Sequence, residues 1–310
     1  MSQTLELTQD LIARNSVTPA DGGCQQVMAD RLAALGFTIE HLRYGNVENL
    51  WAKRGNEGPV LCFAGHTDVV PTGPLEEWRT NPFVPSIRDG VLYGRGAADM
   101  KSGLAAMITA TEEFVRAHPQ HRGSIAFLIT SDEEGPSVDG TKRVVEALKA
   151  RGETIDWCIV GEPTSMKVVN AHKSAVTFAT EVTGLEAHSS LTHHGVNAIL
   201  VAGELLSEMG RIREHLIEVG DPTHRFDPPY STIHVGVIAG GTAKNIIPRK
   251  CSFQWETRLL PTADPHYVPH RFDTFSRKLE PAMKAVAPET GIATEAVNSV
   301  PGLAPEKDSP

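Results

Sequence analysis

The sequence is short of cysteine, of positive charge and of long apolar runs, and each shortage excludes something. Four cysteines occur in 310 residues, at positions 24, 62, 158 and 251, and none forms a C-x-x-C pair. That spacing argues against a disulfide framework and against a thiolate zinc site. Cys62, Cys158 and Cys251 each lie in an apolar strand-like run, where structural thiols are expected. Lys+Arg 29 against Asp+Glu 38 leaves a net charge of −9. An acidic chain without a basic stripe is a poor nucleic-acid partner. No apolar run approaches the roughly 20 residues of a membrane helix, so no membrane partner is expected. The opening MSQTLELTQDLIARN lacks the basic-then-apolar layout of a secretory signal, and a cytoplasmic location is expected. Internal repeats and low-complexity segments are also missing.

What is present is an ordinary globular composition, 40% hydrophobic and 22% charged, long enough for about two domains. In the first half, helical and strand patterns alternate. Val27, Met28, Leu32 and Leu35 have helical spacing before Gly36. PVLCFA (59–64), IAFLIT (125–130) and IDWCIV (155–160) predict buried strands. Leu104, Met107, Ile108, Thr111 and Val115, then Val144, Val145 and Leu148, predict helices between them. This alternation predicts an α/β layer structure with helices on both faces of a sheet. Past residue 175 the strands alternate as half-exposed ones do, and the order becomes β-α-β-β-α-β. That is a ferredoxin-like split unit with one wet sheet face. The expected domains are a first at 1–176, a second at 177–302 inserted into it, and the start of a return linker at 303–310.

Four motifs fall where strands of the first half end, the edge at which open α/β sheets place ligands. In AGHTDVVP (64–71), His66 and Asp68 are two apart and point the same way on an extended segment. His66 offers one ring nitrogen to a metal, and Asp68 is placed to accept the other N–H. In YGRGAADMKSG (93–103), glycines flank Asp99 and a helix begins near Lys101. Its G-R-G spacing fits neither a dinucleotide fingerprint nor a P-loop. TSDEEG (130–135) carries three consecutive acids, which beside a cation can divide metal binding from general-base work. VGEPTS (160–165) puts Glu162 in a turn framed by Gly and Pro. Each motif alone also fits a plain turn or cap. Together they supply the mixed imidazole and carboxylate set that a divalent ion takes.

GHTDVVP, GRGAADMK, SDEEG and GEPTS together resemble the M20 family of zinc aminoacylases and exopeptidases, over nearly the whole chain. The resemblance implies an α/β zinc-peptidase-like catalytic domain with a mixed sheet, and an inserted ferredoxin-like lid and dimerisation domain. By resemblance His66, Asp99 and Glu162 hold one zinc, Asp99 bridges, and Glu134 serves a second zinc. Cobalt is an alternative metal. Glu133 is the general acid/base, and Asp68 supports His66. His188, in GLEAHSS, matches a lid histidine that steadies an oxyanion in a partner subunit's site. Asn245, in GGTAKNIIP, matches a lid asparagine that contacts substrate. The second zinc lacks the histidine that the family supplies after the lid.

Residues 1–165 resemble the succinyl-diaminopimelate desuccinylases, and residues from 166 the acetylornithine deacetylases, which implies a chimera joined near GEPTS. The implied reaction is zinc-dependent hydrolysis of the N-acyl amide of a small diamino acid. The half with the chemistry residues favours N-succinyl-LL-diaminopimelate, and the lid half favours N-acetylornithine. Two other readings are an inactive truncated scaffold with at most one zinc, and a dipeptidase. A homodimer through the lid is expected.

Overall fold

The structure is a computed structural model that describes residues 2–306. The chain divides into two units, Met1–Lys167 and Val168–Pro310. The break falls in irregular chain ahead of the boundary expected after residue 176. Of the expected return linker at 303–310, residues 307–310 lie outside the described residues.

The first unit runs α1 (Gln3–Ala13), α2 (Cys24–Ala33), β1 (Thr38–Tyr44), β2 (Val47–Arg54) and β3 (Val60–His66). A short hairpin follows, β4 (Ser86–Arg88) and β5 (Val91–Tyr93). Then come α3 (Ser102–Ala117), β6 (Ser124–Thr130), α4 (Thr141–Ala150) and β7 (Trp157–Val160). Five of these strands form one sheet in the order β1-β2-β6-β3-β7. β1, β2 and β6 pair antiparallel, while β3 runs parallel to both β6 and β7. The sheet is therefore mixed, and the C-terminal ends of β3, β6 and β7 share one edge.

All seven residues of β6 are buried, as its continuous apolar run predicts. Its side chains alternate between faces. Phe127 and Ile129 join Leu11, Met28, Leu32, Leu104 and Ile108 from α1, α2 and α3. Ala126 and Leu128 join Trp51, Cys62, Val144 and Leu148 on the α4 side. Each large side chain taken from water there contributes about 1.5–3 kcal/mol. The expectation of a buried strand at 155–160 is corrected. β7 is four residues long, forms the edge of the sheet, and leaves Trp157, Ile159 and Val160 44–55% exposed. An apolar run reports hydrophobicity, not the number of strands beside it.

The second unit runs β8 (Ala175–Thr183), α5 (Ala198–Glu218), β9 (Thr232–Gly240), β10 (Lys250–Arg258), α6 (Tyr267–Val286) and β11 (Gly291–Val300). Its sheet has the order β11-β8-β10-β9, antiparallel throughout. This is the expected β-α-β-β-α-β split unit. Cys251, Phe253 and Trp255 of β10 face the helices, and Ser252 and Gln254 between them are exposed. Trp255 stacks on Phe178 with ring centroids 4.1 Å apart, and its Nε1–H donates to Thr180 Oγ1 at 3.0 Å. Asn197 caps α5, its Oδ1 accepting from the N–H groups of Ile199 and Leu200. Among the described residues no helix is long and apolar enough to cross a membrane.

Candidate metal centre

The centre lies in the first unit, where the parallel strands end. β3 delivers His66 as its last residue. β6 runs into Ser131 to Glu134, and β7 runs into Glu162 two residues past its end. Asp99 arrives from the turn before α3. That turn sits close because α3 approaches the β7 end without a side chain between. A Cβ on Gly103 would collide with the carbonyl oxygen of Gly161. Gly96 supplies the left-handed φ of +75° that starts the turn. Gly94 has no such φ; its missing side chain makes room for Ile12.

The imidazole of His66 is 1% exposed. Its Nδ1 lies 2.9 Å from the backbone carbonyl oxygen of Asp68. The Asp68 carboxylate stands 3.5 Å from the same nitrogen and takes two other donors, the backbone N–H groups of Glu133 and Glu134 at 3.3 and 3.0 Å. Asp68 thus orients the ring chiefly through its main chain. Its side chain binds the strand-end loop of β3 to that of β6. That arrangement fixes the tautomer, with Nδ1 protonated and Nε2 facing the acids. Around Nε2 lie Asp99 Oδ1 at 3.1 Å, Glu162 Oε1 at 3.4 Å and Glu133 Oε2 at 3.9 Å.

Two groups of three side chains can each close on an ion. They are His66 with Asp99 and Glu162, and His66 with Glu133 and Glu134. His66 is common to both, and Asp99, the expected bridge, belongs to the first. An imidazole whose Nδ1 is committed to a carbonyl has one free lone pair, so His66 can serve one ion at a time. Among the described residues the chain therefore offers one candidate three-ligand site at a time. The carboxylates of Asp99 and Glu134 offer part of a second.

The charge balance fits a cation. Burial disfavours a charged His66 ring, yet the acids around it prevail, Asp68 and Glu162 foremost, and lift its pKa to about 11. Burial pushes the Glu133 carboxyl above the usual carboxylate range, aided by Glu162 and Glu134 although His66 opposes. Burial raises Asp99, with Glu162 adding, and burial raises Glu134, with Asp99 adding. Burial also opposes ionisation of Asp68, but His66 and the Glu133 amide hold it below the usual range. Carboxyls pushed upward by burial, and then by one another, mark a place short of positive charge. The donors, one imidazole nitrogen and carboxylate oxygens, suit a hard-to-borderline divalent ion.

The first acid of the run is turned away. Asp132 is buried, and its carboxylate accepts from the backbone N–H groups of Ser137, Val138 and Asp139 at 3.2, 2.8 and 2.9 Å. It curls the loop that presents Glu133 and Glu134. Behind His66, buried Asp21 accepts from Thr67 Oγ1 at 2.6 Å and from the N–H of Gln25. Lys101, fully buried, donates to the carbonyls of Leu11 and Arg14 and ties the start of α3 to α1. Of these three, the sequence offered a signal for Asp132 alone, as the acid next to the strand.

His188 and Asn245 belong to the second unit. Both are exposed, and a bridge between His188 and Ile246 brings their loops together. The Ser189 N–H donates to the Asn245 carbonyl oxygen at 3.0 Å, and His188 Nδ1 lies 2.8 Å from Ser190 Oγ.

The chain belongs to peptidase family M20/M25/M40, whose profile matches residues 62–308. It is 52% identical over 254 residues to the succinyl-diaminopimelate desuccinylase of Methylobacillus flagellatus, covering 80% of this chain and 66% of that protein. It is 50% identical over 263 residues to the desuccinylase of Thioalkalivibrio sulfidiphilus, covering 83% and 68%. The chain thus spans about two thirds of the length of these relatives. A likeness ending at residue 165 would cover little more than half of the chain, so the desuccinylase likeness continues into the second unit. Nothing in these comparisons supports two parents joined near GEPTS. Among solved structures, the aminopeptidase PepT of Bacillus cereus matches with TM-score 0.70 at 22% identity, over 99% of this chain and 78% of that one. A dinuclear metal-binding M20 peptidase of Bacillus subtilis matches with TM-score 0.65 at 13% identity, over 98% and 75%. At such identities these two show the fold.

Proposed function

We propose that this chain is a metal-dependent hydrolase of an N-acyl amide, and that its substrate is N-succinyl-LL-diaminopimelate. The carrying observation is the grouping of Asp99 and Glu162 within 3.4 Å of the one free nitrogen of His66. The desuccinylase relatives support the substrate. In this reading His66, Asp99 and Glu162 hold a zinc ion, with cobalt as the alternative, and Glu134 with Asp99 reaches toward a second. A divalent ion held there supplies Lewis acidity to the amide carbonyl and lowers the pKa of water.

The remaining work falls to side chains. Glu133 is half exposed, so water and substrate reach it, and its raised pKa brings it nearer neutrality, where a base can also act as an acid. It takes a proton from the attacking water and returns it to the departing amine. Asp68 holds His66 and the loop of Glu133 in register. His188 steadies the developing oxyanion in a partner subunit's site, and Asn245 contacts the substrate. The first unit is then the catalytic domain and the second a lid that forms a homodimer in the cytoplasm.

The test is release of succinate by the purified chain with zinc added, against deacetylation of N-acetylornithine under the same conditions. Hydrolysis of the succinyl compound is expected. Faster turnover of acetylornithine would overturn the substrate. No turnover of either would favour the second reading, a non-catalytic scaffold that binds at most one ion, which the single lone pair of His66 supports.

A further inference from the structure

Two of the four cysteines face each other. Cys62 in β3 and Cys158 in β7 are direct partners in the parallel register, between the pairs Leu61 with Trp157 and Phe63 with Ile159. Residues paired in this way point to the same face of a sheet. Adjacent strands lie about 4.7–4.9 Å apart, within the roughly 4.4–6.8 Å that a disulfide spans between Cα atoms. The other two thiols have no such partner. Cys24 lies on α2, and Cys251 on β10 pairs with Val182 and Gly240.

The two facing thiols differ in access. Cys62 is fully buried among Trp51, Val60 and Leu128, while Cys158 is exposed on the edge strand. We propose that Cys62 and Cys158 form a dithiol oxidation site, in which a peroxide converts the pair to a disulfide joining β3 to β7. The neighbouring Cys62 thiol brings the pKa of Cys158 down to about 7, although burial opposes this. Cys62 itself is held neutral, first by that same contact and then by burial. Cys158 is thus the attacking sulfur and Cys62 the resolving one.

The chemistry closes in two steps. The Cys158 thiolate attacks one peroxide oxygen. An S–O bond forms, the O–O bond breaks, and hydroxide leaves with the electron pair and takes a proton to become water. The product is a sulfenic acid. The Cys62 sulfur then attacks the Cys158 sulfur. The S–S bond forms, the S–O bond breaks, and the departing hydroxide takes the Cys62 proton as a second water. The two sulfurs lose two electrons in all and the peroxide gains them. The tie lies four residues before His66 on one strand and four before Glu162 on the other. A dithiol reductant reverses it.

The whole chain, reduced and then exposed to hydrogen peroxide at neutral pH, should be unfolded, alkylated, digested and sequenced by mass spectrometry. The expected result is a linked peptide pair containing Cys62 and Cys158, lost on treatment with dithiothreitol, with Cys24 and Cys251 alkylated. Linkage through Cys24 or Cys251 would overturn the proposal. So would oxidation of Cys158 beyond sulfenic acid while Cys62 stays free, or no oxidation at all. A second measurement needs no variant. In the untreated chain Cys158 should alkylate about five- to tenfold faster at neutral pH than an ordinary exposed thiol. In Cys62→Ala that advantage should vanish, and peroxide should carry Cys158 on to the sulfinic acid.

Discussion

β6 in the first unit and β10 in the second are strands of similar length used in opposite ways. β6 is buried on both faces, so it can offer chemistry only where it ends, and its end carries Asp132, Glu133 and Glu134. β10 buries alternate residues and spends its other face on solvent. The same contrast holds across each unit. The first builds its polar centre on three strand ends facing one edge. The second keeps its candidate substrate contacts, His188 and Asn245, in loops beside the sheet. Burial on both faces drives function to the rim.

Substitutions can break this comparison, and the largest effect is expected at the rim. Glu133→Gln should lower turnover by about 10²–10⁴-fold, the usual contribution of a general base. Zinc stoichiometry should be unchanged in a direct titration. Next comes the core. Phe127→Ala on β6 should cost about 3–5 kcal/mol in urea unfolding of the whole chain. Gln254→Ala, on the wet face of β10, should stay within about 0.5 kcal/mol. Equal costs would erase the distinction between the sheets. Asp132→Ala strips three amides of a buried acceptor and should cost about 1–3 kcal/mol. It should also weaken any ion held through Glu134 more than one held by Asp99 and Glu162.

The smallest effect concerns protons. His66 in the metal-free chain has a pKa raised to about 11 from its ordinary 6.5. A raised folded-state pKa means that the stability carried by the protonated ring is complete below about 6.5 and fades as pH rises through about 11. A divalent ion must displace that proton from Nε2. Zinc binding should therefore release about one proton per ion in this range, and its affinity should rise with pH by up to about tenfold per unit. Calorimetry in buffers of different ionisation enthalpy measures the proton count. A count of zero would separate His66 from the site.

Much of this was legible in the residues. The split unit was readable from alternation, because a half-exposed strand writes its geometry as a period of two. The candidate metal ligands were readable as a group because acids and a histidine followed apolar runs, and such runs end at a sheet edge. Three things were not readable. The exposure of β7 depends on which strand lies beyond it, and a run such as IDWCIV is equally apolar at an edge or in the middle. The inward turn of Asp132 depends on three amides five to seven residues later, which no spacing rule encodes. The opposition of Cys62 and Cys158 depends on the register of strands nearly a hundred residues apart. For the same reason the sharing of His66 by both ligand groups appears only once the loops are folded.

In the proposed reading His66, Asp99 and Glu162 form one complete site for a divalent ion. A zinc titration of the metal-free chain, repeated on His66→Ala and Glu162→Gln, tests it most directly. One tightly bound zinc per chain is expected, lost in the first variant and weakened at least about tenfold in the second. Zinc that fails to bind the unaltered chain, or that binds both variants as tightly, would contradict it.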